Sequence, residues 1–488
     1  MATVLIKNVQ LLDGTGRPAF KSDVLVKNNI ISAIDSAINY QADETIDGMG
    51  RYLAPGFIDV NNRADRYLDI FSEPSQKKFL LQGVTAIIGG QGGISLAPLL
   101  YGSLQSIRSF ADTKKINVDW HSFGEFLNVI KKRPLGINFG SLAGYNTAHR
   151  ALLGEPTARN LTPNESKVLS LILKSALQEG ALGISINLND SLISQISYFE
   201  LKKTAELAAK NKKIFTVDLK DKKKELPDSV KKLVYLARET GSRILINDFL
   251  PFNGLEKEYN QAVKLIEENS ASSDIYFNLF PCEENIDVIS TYLPDWMKEA
   301  NQKLTLENIN NADLKKKIIK SFPLFQAKKM IIINAPIQPI LIGQSLREFS
   351  LNRNLDDKEG LLELMKITKL KAEISFKDID LKTATETLTR EQTLIASSAT
   401  AKVDSCKSFQ KFLKLAEKEK ILPIETAIKK LTRLPSKILG LDRRGEIKEG
   451  YFADLVIFKD AEIQEVLVNG KRAVKRGKFQ NELAGKIL

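Results

Sequence analysis

Two histidines, His121 and His149, are all the imidazole this 488-residue chain offers. That number caps any histidine-based metal site or acid–base chemistry. Carboxylates are better supplied: Asp59, Asp65, Asp218 and Asp248 all lie in or just past apolar runs that read as strands. Gathered at strand ends, they would suit a hard cation such as Mg²⁺, Mn²⁺ or Ca²⁺ rather than zinc. Ser397-Ser398 supplies hydroxyls, but no base shares the motif and no Gly-x-Ser-x-Gly elbow surrounds it. The run Gly89-Gly-Gln-Gly-Gly93 lacks the Lys-Ser/Thr of a P-loop and reads as a strand-end turn. Cys282 and Cys406 are too few for a disulfide framework. Cys282 reads as a buried thiol, and the cysteine usage points to a reducing, cytoplasmic home.

Positioning such residues needs a large core, and the composition supplies one, with 43% hydrophobic and 27% charged residues. Lys+Arg 71 against Asp+Glu 59 leaves a formal charge of +12. Nucleic acid is not the expected partner, because the densest basic run, Asp218 to Glu225, is interleaved with acids and carries no stacking aromatics. No basic segment followed by an apolar one opens the chain, so no signal peptide is expected. The apolar stretch from Met330 to Gly343 is broken by Asn334, Pro336, Gln338 and Pro339, so no membrane is expected.

Residues 2–53 read as short strands with turns at Asp13-Gly14 and Lys27-Asn28-Asn29, a small antiparallel unit. A similar texture returns at Ala453–Phe458 and Glu465–Gly470, which predicts one β-sandwich built from both termini, residues 1–55 and 441–488. Between them the rhythm is strand then helix: strands at Phe57–Val60, Gly83–Gly89, Ala181–Ile186, Lys213–Val217, Arg243–Ile246 and Asp274–Phe280, with helices at Glu165–Glu179, Tyr198–Lys210 and Pro227–Thr240. Repeated βα units of this length predict an α/β fold, a parallel (β/α)8 barrel over 56–440, with functional residues at the carboxyl ends of its strands. Residues 293–378 degrade into lysine-rich helical pieces such as Asn311–Lys320 and read as an insertion.

The chain resembles the amidohydrolase superfamily at Ala54-Pro-Gly-Phe-Ile-Asp-Val60 and at Gly450-Tyr-Phe-Ala-Asp-Leu-Val-Ile-Phe458 with Val466–Gly470. More narrowly it is similar to the N-acyl-D-amino-acid deacylase (D-aminoacylase) family, through Gly83–Ala86, Gly93–Pro98, Gly180–Ser185, Leu293–Trp296, Leu431–Ser436 and Gly440–Gly445. The resemblance implies a barrel with a terminal sandwich and a zinc-activated water that hydrolyses an amide.

Position by position, that implied site is substituted. The family's His-x-His falls on Asn61-Asn62-Arg63, its metal-binding cysteine on Gly92, and its His-x-Arg on Asp218-Leu219-Lys220. Its Ser-His falls on Asn247-Asp248, the lysine two residues on is Leu250, and the catalytic aspartate of Gly-Ser-Asp is Ser398. The His-Pro-Arg that follows, whose arginine the family uses for the substrate carboxylate, has no counterpart. His149 lies near the family's Gly-His-x-x-hydrophobic-Arg but displaced, and His121 reads as a surface or packing residue. These substitutions predict a homologue without zinc-dependent deacylase activity, a pseudoenzyme with no cofactor that binds a small-molecule ligand or a protein partner. The alternative is a hydrolase of C–N bonds with a remodelled carboxylate site, its candidates Asp218, Asp248 and His149, and a hard divalent cation. In the first reading Asp218 is expected to pair with Lys220 or Arg63.

Overall fold

Alternating apolar residues at the amino terminus zip into strands whose inward faces share one core. The computed structural model describes residues 2–100, 116–154, 159–190, 193, 196–298, 302–323, 325–335, 337–399 and 406–488. Its first strands are Thr3–Leu11 (β1), Phe20–Lys27 (β2), Ile30–Asp35 (β3), Glu44–Asp47 (β4) and Tyr52–Pro55 (β5). The expected antiparallel unit holds for β1–β2–β3, but β4 and β5 run parallel to the two halves of β1. After β3 the chain crosses back to the other side of β1, where Asp43 accepts from Thr3 N and Oγ1, both at 2.8 Å.

Buried β-branched and aromatic runs then form a parallel series: Phe57–Asp59 (β6), Val84–Gly89 (β7), Asn138–Ser141 (β8), Ala143–Gly144 (β9), Gly183–Asn187 (β10), Ile214–Asp218 (β11), Ile244–Ile246 (β12) and Ile275–Leu279 (β13). An insertion follows with Glu284–Val288 (β14), Ile331–Asn334 (β15) and Glu373–Lys377 (β16), and the chain returns at Thr393–Ile395 (β17). The ladders β6-β7-β8 and β9-β10-β11-β12-β13-β17 are parallel throughout, with neighbours in chain order. Past their ends, Ser398 N donates to Asn61 O at 3.0 Å and Arg63 N to Ala399 O at 2.9 Å, joining the exit of β17 to that of β6. Amphipathic helices connect the strands. Pro163–Gln178 starts at a Thr162/Glu165 capping box, Tyr198–Lys210 at a Ser197 cap, and Leu226–Thr240 stops at Gly241 with φ +66.

The insertion has its own core, built on Ile289, Met297, Ile318, Phe349, Leu361, Met365 and Ile374. The expectation of helical pieces is met at Gln302–Asn310, Ala312–Ser321, Leu346–Leu351 and Asp357–Ile367, but β14, β16 and β15 add an antiparallel sheet that was not expected. Its strands are short and β14 is half-buried along its whole length, so no apolar run marks them.

Strands Leu455–Lys459 (β18), Glu462–Val468 (β19), Lys471–Lys475 (β20) and Lys478–Phe479 (β21) complete the terminal unit. It is one nine-stranded hydrogen-bonded sheet, ordered β21-β20-β19-β18-β5-β1-β2-β3, with β4 also on β1. The last residues run beside β8, where Gly485 N donates to Leu135 O and Leu488 N to Phe139 O. Among the described residues no helix is long and apolar enough to cross a membrane.

Candidate functional site

The carboxyl ends of the parallel strands hold a buried, hydrogen-bonded polar group. Asp59 closes β6, and Asn61, Arg63, Arg66 and Tyr67 follow it. Asp248 lies two residues past β12 and Ser398 three past β17, each with positive φ, 49° in both. That left-handed backbone, uncommon for residues with a side chain, turns both toward the same centre. There Asn61 Nδ2 donates to Asp248 Oδ1 at 3.0 Å, to Ser398 Oγ at 3.1 Å and to Asn278 Oδ1 at 3.3 Å. Ser398 Oγ donates to Asp248 Oδ1, and Arg63 Nη2 to Asp248 Oδ2 at 3.2 Å. One level deeper, Asp59 accepts from Asn62 Nδ2 at 2.8 Å and from Ser397 N at 3.0 Å. Gln91 Oε1 accepts from Asn247 Nδ2 at 2.9 Å and Thr216 Oγ1 at 3.2 Å, and Asn278 Nδ2 donates to Asn247 Oδ1 at 2.7 Å.

The substituted positions 61, 63, 248 and 398 therefore meet in one contact group. Gly92 and Asp218 meet beside it, around a residue that sequence reasoning missed. A Cβ built on Gly92, whose φ is +63, would lie 2.5 Å from Arg66 Nη2 and 3.2 Å from Asp218 Oδ2. The guanidinium of Arg66 thus fills the space a side chain at 92 would take, and its Nη2 donates to Gln91 O at 2.7 Å. Of the two partners expected for Asp218, Lys220 or Arg63, Arg63 pairs with Asp248 instead, and Arg66 is a further cation beside Asp218. No sequence signal marks Arg66, since its role depends on the gap left by a glycine 26 positions away.

The insertion reaches into the same place. Tyr67 Oη donates to Glu373 at the start of β16, and Asn334 Nδ2 donates to its other oxygen at 2.9 Å. Between β14 and the strand ends lies a cavity of about 30 Å³ lined by Arg63, Asp248, Phe280, Ile286, Ser398 and Cys406. That holds about one or two waters, whereas organic ligands occupy roughly 300 Å³ or more.

Charge is balanced internally. Burial opposes ionisation of Asp248, but Arg63, Lys222 and Ser398 outweigh it and hold the carboxyl below its usual range. Burial likewise opposes the charge on Arg63, and Asp248 with other nearby anions raises its pKa nonetheless. Asp59 and Asp65 are pushed up to about 6 by burial, against the hydrogen bonds they accept. Asp287 on β14 is also raised by burial, with Lys222 and Arg63 opposing.

The remaining candidates lie apart. His149 is buried in the helix Tyr145–Leu153, its ring 5.9 Å from that of Tyr145, and burial pushes it down to about 4, which keeps it neutral. Lys220 is exposed past β11. Of the four carboxylates expected to converge, Asp59 is spent on Ser397 and Asn62, and Asp65 on Gly90 N at 2.5 Å and Arg66 N at 2.8 Å. The residues after Ala399, where the family has its His-Pro-Arg, lie outside the described residues as far as 405. Cys282 is not a free thiol: it is joined to Cys406, with Cα atoms 6.0 Å apart. Disulfides are rare in reducing compartments, so the cysteine count carries no assignment of location.

Asn61 and Arg63 point N–H groups at Asp248, and a guanidinium fills the space next to Gly92. Among the described residues no three His, Cys, Asp or Glu side chains come together as a metal site.

Comparison with known proteins places this arrangement on a known scaffold. A solved D-aminoacylase structure superposes with a TM-score of 0.80 at 22% identity, covering 99% of both chains. The chain has the D-aminoacylase fold. The N-acyl-D-glutamate deacylase of Bordetella bronchiseptica, solved with zinc and a phosphonate inhibitor, superposes at 0.83 with 18% identity, again over 99% of both chains. In sequence, the D-aminoacylase of Alcaligenes xylosoxydans xylosoxydans is 23% identical over 99% of this chain and 97% of its own. The N-acyl-D-aspartate deacylase of that organism is 23% identical over 95% of this chain and 87% of its own. The amidohydrolase family model matches residues 396–474. These homologues and structural neighbours support a place in the amidohydrolase superfamily, on the D-aminoacylase side.

Proposed function

We propose that this chain is a D-aminoacylase-like homologue that binds a small-molecule ligand or a protein partner without zinc-dependent deacylation. The parallel strands are read here as a closed (β/α)8 barrel carrying the terminal sheet, with the insertion over its mouth. The observation that carries the proposal is Arg66: its guanidinium lies 2.5 Å from the Cβ position of Gly92, where the family resemblance puts a metal-binding cysteine. A fixed cation there repels a metal ion by several kcal/mol in a low-dielectric site. Arg63 does the same beside Asp248.

The alternative, a C–N hydrolase with a carboxylate-based site, is favoured by one observation: among the described residues, buried Asp218 Oδ1 has no hydrogen-bond partner. Metal content and turnover separate the two readings. The proposal expects tag-free protein grown with zinc, manganese and magnesium to hold less than a tenth of an ion per chain and to leave N-acetyl-D-amino acids intact. About one tightly held ion per chain, with hydrolysis abolished by Asp218→Ala, would establish the alternative.

A further inference from the structure

The bond between Cys282 and Cys406 closes a stretch of 124 residues, and what that stretch contains is specific. It starts three residues after β13 and ends just before the helix Ser408–Glu417. Inside it lie the whole insertion, with β14, β15 and β16, and then β17 with Ser397 and Ser398. The insertion and the strand end that carries Ser398 are therefore tied at one neck. Cys406 also lines the same cavity as Arg63, Asp248, Phe280 and Ser398, so the bond forms part of the wall of the site. Cys282 is 5% exposed and Cys406 only partly buried, so Cys406 is the more accessible residue of the two.

We infer that this disulfide is a thiol-exchange site that takes low-molecular-weight thiols and sets how firmly the insertion and Ser398 are held. A small thiolate attacks Sγ of Cys406; the S–S bond breaks and Cys282 leaves as a thiolate that takes a proton from water. A second thiolate attacks the mixed disulfide, releasing the oxidised small molecule and the Cys406 thiolate, which is protonated in turn. The protein gains two electrons and two protons, both supplied with the two thiols. A small-molecule disulfide reverses the sequence. The inference stands apart from the binding reading, because it concerns how the site is held and not what fills it.

The test compares full-length protein equilibrated with oxidised glutathione and with reduced glutathione. In the oxidised sample neither cysteine takes up iodoacetamide; in the reduced sample both do, Cys406 first. Reduction lowers the melting temperature by about 5 °C, as expected for opening a loop of this size. It also speeds amide exchange in residues 284–288 and 394–398 by about tenfold or more, while β1 and β2 are unchanged. Cys282→Ser with Cys406→Ser reproduces the reduced pattern and no longer responds to glutathione. Two thiols alkylated in the oxidised native protein would overturn the inference. Equal exchange at 394–398 in oxidised and reduced wild-type protein would do the same, with no variant needed.

Discussion

Arg63 and Asp248 are 185 residues apart in sequence, yet Nη2 of one lies 3.2 Å from Oδ2 of the other, with side chains 19% and 12% exposed. Removing one partner of such a pair strands the other's charge in a poorly solvated place. Arg63→Ala is therefore expected to cost about 2–3 kcal/mol near pH 7 in urea denaturation. Asp248 is held below its usual range, so its contribution is present above the unfolded carboxylate value and is lost as pH falls through its folded value. The deficit of the variant should accordingly shrink as pH drops below about 4 and Asp248 is protonated. A deficit independent of pH would show that the pair is not electrostatic in origin.

Asp59 makes the opposite contribution. Its folded pKa of about 6 exceeds the unfolded 3.8, so the folded state takes up the proton first. The fold is favoured below pH 4, and stability declines as pH rises from about 4 to about 6, by roughly 3 kcal/mol for this group alone. Asp65 acts in the same direction. Asp59→Asn should reduce the slope of stability against pH in that window. It should also lower overall stability by about 1–3 kcal/mol, since an amide N–H cannot accept from Asn62 or Ser397 as the carboxylate does. An unchanged slope would rule out Asp59 as the titrating group.

Gly92 and Arg66 should behave as a coupled pair. Gly92→Ala adds a methyl 2.5 Å from Arg66 Nη2 on backbone at φ +63, a cost of about 2 kcal/mol or more. In an Arg66→Ala background the clash with the guanidinium disappears, and the backbone strain and the 3.2 Å approach to Asp218 Oδ2 remain. A double-mutant cycle on thermal unfolding is expected to show coupling of about 1 kcal/mol. Strict additivity would mean that the guanidinium does not occupy the space next to Gly92.

Tyr67→Phe removes the hydroxyl that reaches Glu373 and leaves that buried carboxylate with Asn334 alone among its hydrogen-bond partners described here. The loss should be about 1–2 kcal/mol. It should be felt locally, as faster proteolysis of the insertion, with the terminal sheet unaffected. Uniform destabilisation would argue against a contact that holds the insertion down.

Much of this architecture is legible in the sequence because buried parallel strands are apolar runs. The expected helix Tyr198–Lys210 is found at those residues, and strands such as Ile214–Asp218 shift by a single position. β17, Thr393–Ile395, is not among the expected strands. Positions 61, 63, 92, 248 and 398 stand out through family resemblance, and the fold brings them to one place. Two features are not legible. Arg66 matters only because a glycine leaves room for it, and Tyr67 meets Glu373 across 306 residues of chain. Both are facts of packing between distant segments, which local pattern does not encode.

The terminal sheet imposes an order of events during synthesis. β5 needs β18, with Leu53 opposite Ile457, and until residue 455 has been made that edge has no partner. Leu53 and Ala54 are completely buried in the finished molecule, so a nascent chain carries an open strand edge and an apolar face through almost its entire translation. Production in cells should therefore depend on holdase chaperones more than the stability of the finished protein would suggest, and truncation before β18 should send the product to aggregates.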